Sequence, residues 1–135
     1  MWTVNDDAAA DRLRHLIVRI ARRDHAAFTA LYDDTFNCLR DGLDLRLGDT
    51  AWADGVLAAT YVEIWWLAGG HTHPASDAVA WMNDIVERRV AEGPPVSWCA
   101  ETGRGRLADL RTWYAKAELA GLLRRPIDTF RDVGT

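Results

Sequence analysis

The sequence is poor in the residues that announce a specialised chemistry. Its 135 residues include two cysteines, two methionines, four prolines, three phenylalanines and three tyrosines. Cys38 and Cys99 are too few for the disulfide framework of a small secreted scaffold. Lysine occurs once, at position 116, against 15 arginines. Apolar runs stay well short of the roughly 20 residues that a membrane span requires. Positive charge is not in excess either: 16 basic and 20 acidic residues give a net charge of −4. That excludes a generally basic nucleic-acid binder and leaves room only for a local patch. A Gly-rich phosphate loop, a Cys-x-x-Cys pair and a His-Glu-x-x-His helix are all missing, and no cofactor is expected. The opening residues, Met1 to Asp7, are polar and acidic rather than leader-like. A soluble, reduced, cytoplasmic protein without a membrane partner is expected.

What the chain has is apolar bulk, arginine, alanine and tryptophan. Hydrophobic residues make up 49% and charged residues 27%, enough for one packed domain. The bias towards alanine and arginine fits a GC-rich bacterial genome. Seven tryptophans stand out against the few other rings.

The apolar period is helical. Leu13, Leu16, Ile17, Ile20 and Ala21 recur at helical spacing, with Asn5 or Asp6 as cap and Arg22-Arg23 at the negative end. After Asp24 a second stripe runs through Ala27, Phe28, Leu31, Tyr32, Phe36, Leu39 and Leu43; Gly42 weakens it and Gly48 ends it. Asp49 or Thr50 caps a third helix. Its core face is Ala53, Val56, Leu57, Thr60, Tyr61, Ile64, Trp65 and Ala68, and Gly69-Gly70 stops it. A fourth starts at Ser76, carries Val79, Met82, Ile85, Val86 and Val90, and closes at Gly93-Pro94-Pro95. A fifth runs through Leu107, Leu110, Trp113, Tyr114, Ala117 and Gly121 to Leu123, and Pro126 ends it. Short connections favour antiparallel neighbours. The expected fold is all-α: a compact bundle of four helices over residues 1–93, then a linker and a fifth helix over 94–135, packed on or beside the same domain.

The order of residues narrows the family. The stretch Leu16-Ile-Val-Arg-Ile-Ala-Arg-Arg-Asp24-His-Ala-Ala-Phe28-Thr-Ala-Leu31-Tyr32 resembles the opening of region 2 of extracytoplasmic-function sigma factors. Leu47-Gly48-Asp49, Ala53-Asp54, Val56-Leu57 and Thr60-Tyr61-Val62-Glu63-Ile64-Trp65 resemble its next segment. Ala80-Trp81-Met82 and Ile85 resemble its last helix. The resemblance implies a compact helical domain that binds the clamp helices of bacterial RNA polymerase and captures the promoter −10 element as single-stranded DNA. On that reading Asp54, Leu57, Ala58 and Tyr61 mark the polymerase- or partner-facing side. His71, His73, Asn83, Arg88 and Arg89 mark the DNA-facing side.

The sequence also departs from the family pattern. Where the family carries an acid, two aliphatics and Gln-Glu facing the polymerase, this chain reads Gly55-Val56-Leu57-Ala58-Ala59. Each polar group replaced there removes a hydrogen bond worth about 0.5–1.5 kcal/mol. The last region 2 helix reads Asn83-Asp84-Ile85-Val86-Glu87-Arg88-Arg89, where the family shows Arg and Asn near its end. The family's region 4, which reads the −35 element, has no counterpart in this sequence. Between Ala51 and Glu92 six acids meet two bases. Phosphate attraction supplies most of the non-specific affinity of DNA binders, so promoter recognition is expected to be weak or lost.

Few other residues suggest chemistry. His71-x-His73 can place two imidazoles on a metal, but no third ligand is near in sequence, and no metal is expected. Trp65, Trp81 and Trp113 sit on or near apolar stripes. Trp52, Trp66 and Trp98 lie off them and are the candidates for an aromatic pocket or interface; burial under the fifth helix is the plainer reading. Glu63 precedes Trp65 and Trp66. A carboxylate among rings would have a raised pKa, which makes Glu63 the one candidate acid-base group; nothing else marks an enzyme. Asp33, Asp34, Asp41 and Asp44 read as a solvated face. The fifth helix is basic around an apolar face, and docked on the acidic half it would occupy the surface offered to polymerase or DNA.

The first functional reading is a stand-alone sigma-like transcription regulator that binds RNA polymerase core or another regulator, with weak single-stranded DNA binding at most. The second is a repurposed helical scaffold that binds or transforms an apolar small molecule in a Trp-lined pocket. The third is an interaction module that forms a homodimer.

Overall fold

The computed structural model describes residues 7–71, 77–93 and 114–124. Helix α1 spans Asp7–Ala21 and buries Leu13, Leu16, Ile17 and Ile20, the face its period marks. Asn5 and Asp6, the expected caps, lie outside the described residues. A tight turn follows. Arg22 and Arg23 donate back to the carbonyls of Arg19 and Ile20, and Arg23 takes a positive φ of 62°.

Helix α2 spans His25–Leu47. Asp24 caps it, its side chain accepting from the Ala27 backbone N–H at 3.2 Å, which satisfies one of the orphan donors of the first turn. The helix runs unbroken through Gly42 and ends at Gly48, whose left-handed φ of 63° lets its N–H reach the Asp44 carbonyl. Only glycine adopts that backbone without steric cost. Helix α3 spans Thr50–Leu67, capped by Asp49 and not by Thr50. It does not stop directly at the glycines: one 3₁₀ turn, Ala68–His71, carries the chain through them. Helix α4 spans Ala78–Ala91 behind an Asp77 cap, two residues later than the Ser76 start read from sequence. Residues 114–123 are helical and form α5.

No strand occurs among the described residues, so the fold is all-α. Each of α1 to α4 packs on the next, and α1 also meets α4 and the 3₁₀ turn, which closes the bundle. Phe28, Leu31, Leu57, Tyr61, Ile64, Met82 and Ile85 form the fully buried centre with Ile17 and Ile20. Leu119 and Leu123 of α5 join the same core. Of the expected α5 stripe, Leu107, Leu110 and Trp113 lie outside the described residues and Leu123 is buried, but Tyr114, Ala117 and Gly121 do not form the core face. Tyr114 and Gly121 are exposed, and the buried face is Leu119 and Leu123 with Ala115 and Leu122 beside it. Leu119 lies one turn before Leu123, and together they bury more apolar area than Ala117 and Gly121.

Candidate functional site

Helix α3 is apolar on nearly every side, so each side needs a cover. The cover differs from side to side, and that difference builds the site.

The Tyr61 side meets α2. Thr35 donates its hydroxyl proton to the Leu31 carbonyl at 2.8 Å, which leaves its oxygen to accept from the Tyr61 hydroxyl at 2.7 Å. The rings of Tyr32 and Phe36 lie 4.9 and 6.5 Å from that of Tyr61. Burial holds the Tyr61 phenol protonated far above its usual range. Two turns earlier on α3, Asp54 accepts from Arg40, whose Nε also reaches Asp44 at 3.1 Å. Arg40 is itself 3% exposed. Lys116 of α5 approaches Asp54 from another direction, at 3.7 Å. Burial pushes the Asp54 carboxyl above its ordinary value, and the charges of Arg40 and Lys116 pull against that shift.

The opposite side of α3 meets α4 through Glu63. Its Oε1 accepts from Arg88 at 3.0 Å and from Arg89 at 2.7 Å, and its Oε2 from Arg88 at 2.5 Å. Burial opposes the charge, but the hydrogen bonds from Arg88 and then Arg89 outweigh it. The carboxyl therefore sits below its usual range.

The C-terminal end of α3 carries an aromatic cluster. Arg23 donates to the Trp65 carbonyl at 2.5 Å, and its guanidinium lies 5.4 Å from the Trp65 ring and 5.2 Å from the Trp66 ring. This satisfies a late helix carbonyl with a cation and adds ring attraction. His25 packs on Trp65 at 4.6 Å and donates from Nδ1 to the Leu122 carbonyl at 3.1 Å. The Trp66 indole N–H donates to Glu118 of α5 at 2.8 Å.

Several sequence expectations change. Leu57, Ala58 and Tyr61 are fully buried and Asp54 nearly so; in this conformation they face other helices and not a partner. Glu63 is not a carboxylate among rings. It points at α4, and its pKa moves down and not up, so its role as an acid-base group is withdrawn. Asn83 is buried. Arg88 and Arg89 are brought together, but on Glu63, which cancels charge they would offer to phosphate. His73 and Trp98 lie outside the described residues, as does the side chain of His71. Trp52 and Trp66 do not share a pocket. They are 14 positions apart on one helix, which sets them about 21 Å apart along the axis. Trp66 is 54% exposed and Trp52 half-buried. Trp113 lies outside the described residues, and Trp65 is core. A groove of about 170 Å³ between α2 and α4 is lined by Cys38, Leu39, Arg46, Asn83, Val86 and Glu87 among others, with no tryptophan. Among the described residues no three His, Cys, Asp or Glu side chains gather as for a metal ion. No described helix is long and apolar enough to cross a membrane.

Two features escaped the sequence reading. Arg40 follows Leu39 on the core stripe of α2, and Asp54 falls seven before Tyr61 on that of α3. A cation and an acid on facing apolar stripes signal a buried pair. Asp44 was read as part of a solvated face, yet it binds Arg40.

Comparison with known proteins gives partial matches. The chain is 29% identical over 77 residues to the ECF RNA polymerase sigma factor SigK of Mycobacterium sp. strain KMS, a stretch that covers 57% of this chain and 40% of that protein. It is 25% identical over 91 residues to the ECF RNA polymerase sigma factor SigK of Mycolicibacterium vanbaalenii, covering 67% and 46%. The matches thus span less than half the length of these relatives. No family model matches the chain, and no solved structure matches it. The all-α chain is therefore similar, weakly and over part of its length, to extracytoplasmic-function sigma factors, the family its residue order resembles.

Proposed function

We propose that this protein is a sigma-factor-like transcription regulator that acts by binding RNA polymerase core, in the cytoplasm, with little promoter recognition of its own. The observation that carries the reading is the 77-residue stretch 29% identical to an ECF sigma factor, in a chain whose described part is helical. Weak promoter recognition is supported by Glu63, which holds both Arg88 and Arg89. The basic residues that would meet phosphate are already paired, and phosphate contacts dominate DNA affinity. The Trp-lined ligand pocket draws no support from Trp52 and Trp66, which stand at opposite ends of α3.

The test is capture of RNA polymerase core on the immobilised full chain at low salt, beside binding of a labelled −10 single strand. Core capture with weak strand binding is the expected outcome. A protein that captures neither refutes the reading.

A further inference from the structure

On its α4 side, helix α3 carries the carboxylate of Glu63, whose side chain is 6% exposed. A buried acid on an apolar helix is costly, and an apolar side chain of similar volume often serves the packing as well or better. Packing alone therefore does not account for Glu63. The carboxylate holds two cations, and it holds them unequally. Arg88 lays both arms of its guanidinium on it, Nη1 on Oε1 and Nη2 on Oε2. That is the two-pronged geometry with which guanidinium groups also take phosphate. The Arg88 side chain is 57% exposed, and among the described residues Glu63 is the carboxylate that binds it. Arg89 is fastened more firmly. Its side chain is 30% exposed, Nη2 reaches Glu63, Nη1 reaches Glu92, and its Nε is buried.

We propose that Glu63 is an internal counter-ion that silences a phosphate contact, that Arg88 is the cation it silences, and that a latent single-strand surface stands at this end of α4. The inference rests on the reading above, from which it takes the single strand as the polyanion. The charges around Arg88 set the size of the effect. Asp84, one turn earlier, is exposed, Glu92 binds Arg89, and Glu87 is taken up by Arg46. With Glu63 charged, the group of Arg88, Arg89, Glu63, Asp84 and Glu92 is net negative and turns phosphate away. With Glu63 neutral the group is balanced, and Arg88 stands unclaimed at its outer edge. Weak strand binding then follows from one acid and not from a helix that lacks cations.

The experiment measures binding of a labelled single strand to the full chain over a range of salt, with amide exchange on each variant and capture of RNA polymerase core beside it. Glu63→Gln keeps the side-chain shape and removes the charge. It should tighten strand binding about fivefold at low salt and steepen the fall of log K with log salt by about 0.7, the value of one phosphate contact on a single strand. Adding Arg88→Gln should cancel both changes, and adding Arg89→Gln in its place should not. In the natural chain Arg88→Gln alone should alter neither quantity. Asp41→Asn, on the exposed side of α2, removes an equal charge and should leave the slope as it is. Core capture should be unchanged throughout. An unchanged slope in Glu63→Gln with exchange protection intact overturns the proposal and leaves the proposed function standing. A steeper slope in Asp41→Asn as well reduces the effect to net charge and overturns it too. So does weaker strand binding in Arg88→Gln alone, because Arg88 then meets the strand already. If Glu63→Gln loses protection through the whole bundle, the carboxylate is a structural tie and the proposal falls. If no form captures core, the proposed function falls, while the strand slopes still decide the role of Glu63.

Discussion

Replacing Arg40 by methionine removes the cation from the α2–α3 interface and keeps its aliphatic length. Arg40 is 3% exposed and binds Asp44 and Asp54. The Asp54 side chain is 11% exposed, so it cannot turn to water for compensation. Breaking one partner of such a pair costs about 3–5 kcal/mol, because a charge stays buried alone. Lys116 remains 3.7 Å away, which places the expected loss near 3 kcal/mol. Urea unfolding followed by tryptophan fluorescence measures it. The pH dependence separates this cause from simple loss of packing. Asp54 is an acid whose folded pKa lies above its ordinary 3.8. Its burial is best tolerated below that value and costs more as pH rises through the folded pKa. Without Arg40 the folded pKa climbs further. The deficit of the variant should therefore be large at pH 7 and shrink as pH falls towards 4. The double variant Arg40→Met with Asp54→Leu should recover most of the loss. A deficit below about 1 kcal/mol, or one that is the same at both pH values, refutes the buried-pair account.

Two further substitutions probe the other sides of α3. Glu63→Gln removes a carboxylate held by Arg88 and Arg89, at a cost of about 1–3 kcal/mol at pH 7. The folded pKa of Glu63 is depressed, so its contribution is present above the ordinary carboxylate range and lost as pH falls through the folded value; the stability gap between variant and natural chain should close in acid. Thr35→Val strands the Tyr61 hydroxyl among rings, and thermal unfolding should show a loss of about 1–3 kcal/mol, with no change if the phenol finds another partner.

The helices were legible because their ends are written in single residues. Asp24 and Asp49 each accept from a backbone N–H of the first turn, and Gly48 turns left-handed; Asp77 does the same for α4 as the other two caps, where the sequence reading starts at Ser76. The site was less legible, for a physical reason. The residues that carry the resemblance, among them Asp24, Phe28, Asp49, Leu57, Tyr61, Ile64 and Met82, are caps and core in the structure. They specify a scaffold. Where the resembled family carries polar residues, this chain has Gly55, Ala58 and Ala59, which say nothing in sequence about what lies on them. The role of Glu63 depends on which helix its face meets, and adjacent tryptophans in the sequence pointed the wrong way. The α5 face was ambiguous because two stripes share the helical period, and only the surrounding bundle selects Leu119 and Leu123.

The turn at Arg23 couples the first loop to the end of the third helix. A left-handed arginine costs about 1–2 kcal/mol relative to relaxed backbone. The groups that offset this cost, the Trp65 carbonyl and the two indole faces, arrive 42 residues later in the chain. Local ties hold the turn as well: three backbone hydrogen bonds and the Arg19–Asp24 ion pair. The first loop is therefore fastened twice, once by its own residues and once by the end of the third helix, so a change at Trp65 or Trp66 reaches the α1–α2 connection through Arg23.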